Sequence, residues 1–450
     1  MSEQNPIHGQ WSSRVAFVIA ASGSAIGLGN IWKFPYLLGE NGGGAFVLVY
    51  LACVFLIGLP LMMAETMLGR RGRRSPIHAM ASLAKSVKAS PHWQLVGWIG
   101  MVAGFLILSY YSVIAGWSMA YVFKMGGGFL EDIDPAKTQS IFTELKDAAE
   151  IQLVWHTLFM AATAWIVGQS VSEGIEKVTR LMMPALLIML IMLDAFALSS
   201  DGFGQGMSFL FTPDFSKVSA ESLLIAMGQA FFSLGLGMGS IMVYGAYLPN
   251  HVSIGRSTLM VSLADTLVAL MAGVAIFPVV FANHLPPSAG PGLIFETLPL
   301  AFSHMPMGTL FGTLFFLLVF FAAITSAIAL IEPAVAWLSE NQGFSRKLAS
   351  GYACGACWLL GLGTLYSFSH QTDKGTDAKG FFEMLDFLTA DIMLPIGGIL
   401  IAVFAGWFLP KSISEKELDL GKQFPIWLFL TRFVAPLSVL IIFLKGLGIL

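Results

Sequence analysis

The sequence predicts an all-α polytopic membrane protein of about eleven transmembrane helices, two of them interrupted. Three observations carry that fold class. Of 450 residues, 56% are hydrophobic and only 11% charged, with a mean hydropathy of +0.76. A soluble chain of this length cannot hide so much apolar surface. The apolar residues also fall into long runs separated by short polar linkers. Finally, the first run contains Ser22 to Tyr36, SGSAIGLGNIWKFPY, with Gly23, Gly27 and Gly29 at mid-depth and Asn30, Lys33 and Pro35 after them. Hydrocarbon offers the backbone no hydrogen-bond partner, so this composition predicts unwound chain lining a protein-enclosed site.

In chain order the spans fall at roughly 14–38, 44–69, 94–124, 151–169, 177–198, 221–248, 255–283, 306–340, 346–368, 381–409 and 424–447. Pro291 to His304 is too short to cross and is expected as a re-entrant or capping segment on the outer side. Arg70, Arg71, Arg73, Arg74, Lys85 and Lys88 occupy the second linker without an acid. The next linker carries Glu131, Asp132, Asp134, Glu144, Asp147 and Glu150. Positive loops stay inside, which predicts a cytoplasmic N-terminus and an extracytoplasmic C-terminus. Arg346 and Lys347 then fall inside as well. No cleavable leader or separate soluble domain is expected. Residues 1–450 read as one transmembrane domain, with a five-helix repeat at 14–198, a second at 221–409, and an additional helix at 424–447.

The net charge of -3 carries no sign of a nucleic-acid surface. Cys53, Cys354 and Cys357 lie in apolar runs, and the Cys354–Cys357 pair lacks the second pair that a zinc site needs. They read as packing thiols.

The interruption recurs once. Gln229 to Gly239 places Gly235, Gly237 and Gly239 in mid-span after Ser233. Glycines can simply allow close helix packing. Two interruptions at corresponding positions of two repeats point instead to a transporter's central site. GSAIGLG has neither a preceding strand nor a P-loop lysine, so it is not a phosphate-binding loop.

With Gly27-Leu-Gly-Asn-Ile-Trp-Lys-Phe-Pro-Tyr36, Asn41-Gly-Gly-Gly-Ala-Phe46, Gly58-Leu-Pro-Leu61, Glu65, Tyr110-Tyr111, Gln229 to Gly239, Ala322-Ala-Ile-Thr-Ser326 and Ser345-Arg-Lys347, the chain resembles the neurotransmitter:sodium symporter family. The likeness is to its bacterial amino-acid transporters of LeuT-like fold, and it runs nearly end to end.

That resemblance implies two sodium sites. The first would use the Ala25 carbonyl, Asn30, Ser233 and Asp265 with the substrate carboxylate. The second would use the carbonyls of Gly23, Ile26 and Ala322 with the hydroxyls of Thr325 and Ser326. Carbonyls freed by unwinding suit a hard cation without many buried charges; alone, Thr325 and Ser326 read as helix back-bonding hydroxyls. Many relatives bind chloride beside the first site. Here Tyr50, Gln229 and Ser233 match that pattern, while Asp265 and Ala269 replace an asparagine and a serine. A fixed carboxylate can stand for the anion, and chloride beside it would be repelled, so chloride is not expected to be required. Asp265 as a structural acid paired elsewhere is the alternative.

Gly27 stands where monoamine carriers resemble one another in carrying an aspartate. The substrate is then expected to bring a carboxylate, met by the Leu28 and Gly29 amides, Tyr111 and sodium. Its side-chain pocket would comprise Ser24, Ile107, Phe231, Phe232, Gly235, Met238, Ser326 and Leu330, an uncharged lining for a neutral, hydrophobic, bulky or aromatic side chain. Phe232 would double as a lid. Lys33 and Asp386 match the outer gate pair, with lysine for the usual arginine. His8, Glu340 and Tyr247 match the inner gate, and a histidine there would make inward opening sensitive to pH. Gly174 and Pro184 fit a family pattern for local unwinding, or mark a simple loop-to-helix boundary. Asp194 and Asp391 have no assigned role, and Glu65 is expected to brace the broken helices.

No enzyme constellation is present in the sequence. The reading is a sodium-coupled importer of a neutral amino acid, working by alternating access in a bacterial inner membrane. A proton-coupled carrier on the same scaffold and an amino-acid-gated channel or sensor are the alternatives.

Overall fold

A computed structural model describes residues 9–128, 133, 135–285, 292–370 and 380–449. Every regular element among them is a helix. The first span is two helices, α1 (Arg14–Ala25) and α2 (Gly29–Glu40), meeting at a 54° bend. Ser13 caps α1 by accepting the Ala16 amide at 3.2 Å. Then follow α3 (Gly44–Gly72), α4 (Pro76–Ser86), α5 (Pro91–Gly126), α6 (Pro135–Asp147), α7 (Ala149–Val167), α8 (Val171–Ala197) and α9 (Phe203–Phe211). The second half contains α10 (Ala220–Ser233), α11 (Ser240–Ala246), α12 (Ile254–Ala282), α13 (Leu293–Ser303) and α14 (Gly308–Gln342). It closes with α15 (Arg346–Ser369), α16 (Phe381–Phe408), α17 (Lys411–Leu418) and α18 (Gly421–Gly446).

Among the described residues nine helices are continuous, long and apolar enough to cross a membrane, and the bent pair α1–α2 makes a tenth. The pair α10–α11 is the second interrupted span. The eleven predicted positions are therefore all occupied by helix. α13 is the short apolar segment expected on the outer side; its Phe295 packs against Trp32, Trp117 and Tyr121.

Lipid tails give helices no hydrophobic reason to associate, so close contact is made by small residues. At Gly104 on α5, a Cβ would lie 3.0 Å from the Leu330 carbonyl of α14; at Gly245 on α11, 2.5 Å from the Thr66 carbonyl of α3. One end of the bundle is tied by arginines. Arg70 donates to Glu417 of α17 at 3.0 Å and to the Val252 carbonyl at 2.6 Å, and Arg73 donates to the Leu248 carbonyl at 2.6 Å.

The local unwinding expected at Gly174 and Pro184 is not seen. α8 is helical throughout, opening with wide π turns at Val171–Glu176 and carrying Pro184 inside it. Ser170 caps this start through the Glu173 amide at 3.0 Å, so the chain enters the helix already hydrogen-bonded.

Candidate functional site

The first interruption is made at Ile26, which leaves the helix at φ −71° and ψ 98°. At Gly27, which follows, a Cβ would lie 2.6 Å from Ser326 Oγ and 3.1 Å from the Tyr111 hydroxyl, so a side chain there must displace one or both hydroxyls. Asn30 Oδ1 accepts the Gly27 amide at 3.2 Å, and the Leu28 amide faces the Tyr111 hydroxyl at 3.4 Å. In the second interruption Gly235, Gly237 and Gly239 have φ of +65°, +78° and +73°. A left-handed backbone at three alternate positions is open to glycine and strained for other residues. Glu65 accepts the Gly237 amide at 2.6 Å, the bracing role expected from sequence.

A polar cluster joins the two breaks to α12. Asn30 Nδ2 donates to Asp265 Oδ1 at 2.8 Å, and Ser233 Oγ donates to Asp265 Oδ2 at 2.8 Å. The Tyr50 hydroxyl adds a third bond to Asp265 Oδ2 at 3.3 Å. Asp265 is fully buried, as is Ala269 one turn on, and Gln229 Nε2 donates to the Gly29 carbonyl at 2.9 Å. Asn30, Ser233 and Tyr50 thus meet around one carboxylate as three donors. Ala25 lies alongside, in the wall of the central cavity.

Of the oxygens named for the second ion, those of Gly23, Ile26 and Ser326 come together. Ser326 Oγ lies 3.4 Å from the Gly23 carbonyl, 3.2 Å from Ser24 and 3.3 Å from Ile26. One hydroxyl proton cannot satisfy three carbonyls, so acceptors outnumber donors here. Thr325 Oγ1 bonds back to the Phe321 and Ala322 carbonyls of its own helix at 3.0 and 3.1 Å, the back-bonding geometry of a helix hydroxyl. A cluster of neutral oxygens short of donors fits a small hard cation carried as cargo. The Ser24 carbonyl was not anticipated.

Between the breaks lies a cavity of about 40 Å³. Ser24, Ala25, Gly27, Leu28 and Gly29 wall it from the first break, Phe232, Ser233, Gly235 and Met238 from the second, and Ile107, Tyr111, Ser326 and Leu330 from α5 and α14. No charged side chain reaches it. Phe231, also expected in this wall, is turned the other way: its ring fills the space that a Cβ at Gly398 would occupy, at 2.6 Å. Neighbouring residues on a helix point about 100° apart, so Phe231 and Phe232 cannot both face the cavity.

Leu28, Gly29, Tyr111 and Phe232 also floor a larger outer chamber of about 460 Å³. Lys33 and Asp386 both line that chamber but do not pair. Lys33 Nζ instead sits over the Phe232 ring, 4.7 Å from its centroid, and Asp386 accepts the Tyr110 hydroxyl at 3.3 Å. An ammonium lacks the two-point fork that holds a carboxylate, and an aromatic face competes for it. Lysine in place of arginine is expected to give a weaker or water-bridged outer gate, and here the lysine rests on the lid residue without touching Asp386.

On the other side the passage is closed by Trp11, which donates through its ring to the Tyr244 carbonyl at 2.9 Å and through its amide to Tyr247 at 3.0 Å. The Tyr247 hydroxyl braces Glu332 at 2.6 Å, and Glu332 pairs with Arg346 at 2.5 Å. Tyr247, expected to brace the inner gate, gives its hydroxyl proton to Glu332. Glu340 accepts the Ser75 amide at 2.7 Å and pairs with His78 at 2.6 Å. His8, expected at this gate, lies outside the described residues.

Glu332 was legible as an acid inside an apolar run, yet its partner Arg346 belongs to the next helix and only the fold joins them. Truncating one member of a buried pair costs about 3–5 kcal/mol. Glu332→Ala is therefore expected to lower the melting temperature of the purified protein sharply; an unchanged melting temperature would contradict the buried pair.

The leftover charges separate. Asp194 has one buried carboxylate oxygen without a hydrogen bond, and Asp391 packs beside Gly446 of α18. Neither reaches the cavity. Cys53, Cys354 and Cys357 are buried free thiols.

Two interrupted spans around a membrane-buried cavity define the architecture of a secondary transporter. The chain belongs to the sodium:neurotransmitter symporter family, whose model matches residues 8–130 and 136–448. It is 39% identical to the uncharacterized sodium-dependent transporter YhdH of Bacillus subtilis, over the whole of both chains. It is 24% identical to the Drosophila melanogaster sodium- and chloride-dependent GABA transporter ine, across 93% of this chain and 48% of that one. The crystal structure of MhsT in complex with L-phenylalanine superposes with a TM-score of 0.89 at 39% identity, covering 97% of this chain and 99% of that one. The protein is a multi-pass membrane transporter of a sodium-dependent family, not an enzyme.

Proposed function

We propose that this protein imports a neutral, hydrophobic amino acid together with sodium, by alternating access and without a need for chloride. The observation that carries this is the cavity between the two breaks. It is lined by apolar groups, free main-chain groups and hydroxyls, and is flanked by two clusters of oxygens.

The substrate carboxylate is assigned to the Leu28 and Gly29 amides, the Tyr111 hydroxyl and a sodium ion held by Ala25, Asn30, Ser233 and Asp265. Main-chain carbonyls of the two breaks take the ammonium. A second sodium ion is assigned to Gly23, Ile26, Ala322, Thr325 and Ser326. The side chain enters among Ile107, Phe232, Gly235, Met238 and Leu330. The bound L-phenylalanine of MhsT supports a bulky apolar side chain.

In this reading 14–198 and 221–409 are the two repeats that rock against each other, and 424–447 is additional. The basic linker after α3 supports a cytoplasmic N-terminus and an extracytoplasmic C-terminus in a bacterial inner membrane. Trp11 and the Tyr247–Glu332–Arg346 group close the inner passage, while Phe232 with Lys33 covers the outer one.

Two measurements test the proposal. Bound ligands raise stability by mass action, so melting temperatures across the twenty amino acids should rise for large apolar ones in sodium and not in choline. Uptake into proteoliposomes should then follow an imposed sodium gradient, with gluconate replacing chloride at no cost. Accumulation driven by a proton gradient alone, or downhill flux only, would establish a proton-coupled carrier or a channel instead.

A further inference from the structure

We propose that Arg432 and Trp407 form a binding site for the phosphate of an anionic phospholipid, on the lipid-facing seam between α16 and α18. α18 is the most lipid-exposed of the long spans, with 22% of its apolar window buried, and Arg432 lies within it.

The arginine is held in a defined way. The Gly406 carbonyl would be answered in a regular helix by the amide of residue 410, but that residue is Pro410 and has no N–H. Arg432 Nε donates to this carbonyl at 2.6 Å. Its stem crosses the backbone at Gly406, where a Cβ would lie 2.9 Å from Arg432 Cγ. The Trp407 ring covers the guanidinium, 5.0 Å from its carbon to the ring centroid, and meets Phe433 edge-on at 5.5 Å.

Those contacts use one of five N–H donors. Among the described residues no acid pairs with Arg432, and its hydrogen bonds to the protein end with Gly406. A guanidinium keeps its charge, and a charge beside hydrocarbon is costly unless paired or hydrated. Two terminal nitrogens in a fixed plane match two oxygens of a phosphate diester. Trp407, Phe429 and Phe433, each at least half exposed, form an apolar wall for acyl chains.

The site also lies on the face where such lipids gather. α17 follows directly on α16, and its Glu417 binds Arg70, so this end of α16 shares the face of the Arg70, Arg71, Arg73 and Arg74 linker. Basic pockets between membrane helices on that face suit anionic headgroups.

The test is native mass spectrometry of the full-length protein in detergent, titrated with dioleoyl phosphatidylglycerol, with dioleoyl phosphatidylcholine, and with inorganic phosphate. One phosphatidylglycerol should be retained in preference to phosphatidylcholine and should survive millimolar phosphate. Arg432→Gln should weaken that lipid roughly tenfold, the loss expected for a charge-assisted hydrogen-bond pair. Arg432→Lys should fall between, and Trp407→Leu should weaken retention without touching the charge. Equal retention of the two lipids, displacement by phosphate, or an Arg432→Gln protein that binds like the original would each overturn the site. Should Arg432→Gln not fold, unchanged retention in both Arg432→Lys and Trp407→Leu would do the same.

Discussion

Replacing Asp265 by asparagine is expected to cut sodium-driven uptake in chloride-free buffer by about 100-fold or more. The carboxylate accepts from Asn30, Ser233 and Tyr50, and hydrogen bonds to a charged group contribute about 1.5–3 kcal/mol each. An asparagine turns one acceptor oxygen into an NH2, which then faces donors. It also removes the charge proposed to stand beside the first sodium ion. The loss of one charge-assisted bond and of part of the cation's attraction makes about 2–3 kcal/mol, hence the two orders of magnitude. Restoring the chloride pattern in full, with Asp265→Asn and Ala269→Ser together, should return uptake only when chloride is supplied. The measurement is initial uptake into proteoliposomes in chloride and in gluconate. Wild-type rates for Asp265→Asn in gluconate would show that this carboxylate is structural and not a substitute anion.

The second large effect is expected at Gly27. A methyl group there would press on Ser326 Oγ at 2.6 Å and on the Tyr111 hydroxyl at 3.1 Å. Overpacking of a well-filled site costs about 1–3 kcal/mol, and here both displaced groups belong to proposed ligand sets. Gly27→Ala should raise the sodium concentration needed for half-maximal uptake roughly tenfold or more and weaken thermal stabilisation by amino acid. Gly27→Asp should abolish both, since its side chain would displace the same two hydroxyls and put a negative charge where the substrate carboxylate is proposed to sit. A Gly27→Ala protein with the original sodium dependence would refute the assignment of Ser326 to a cation.

These two residues show how far the sequence could be read. Periodicity and hydropathy located the nine continuous spans and the bent first one among the described residues, because lipid imposes the same demand on every crossing: apolar side chains and a self-satisfied backbone. The interruptions were legible for the same reason, since Gly27 and Gly237 violate that demand in the middle of otherwise ordinary spans. The cavity residues came through family likeness, and all but Phe231 line the space. Phe231 failed because adjacent residues on a helix diverge, and which of two neighbouring phenylalanines faces inward depends on rotation about the helix axis. The loss of arginine's fork at Lys33 was legible in the sequence, but the Phe232 face that takes the ammonium is invisible until the fold brings it beneath Lys33.

The sequence by itself determined the all-helical membrane class, the position of the breaks, the family and the uncharged lining of the cavity. Each follows from local composition or from motifs read along one segment. Only the tertiary structure decided that Tyr247 serves Glu332, that Arg346 completes that pair, that Gly27 packs against the Ser326 and Tyr111 hydroxyls, and that Arg432 caps the carbonyl left open by Pro410. Those contacts join segments tens to hundreds of residues apart, or a helix to the one after it. A hydrogen bond is settled within a few tenths of an ångström, and no pattern along the chain specifies distance at that scale.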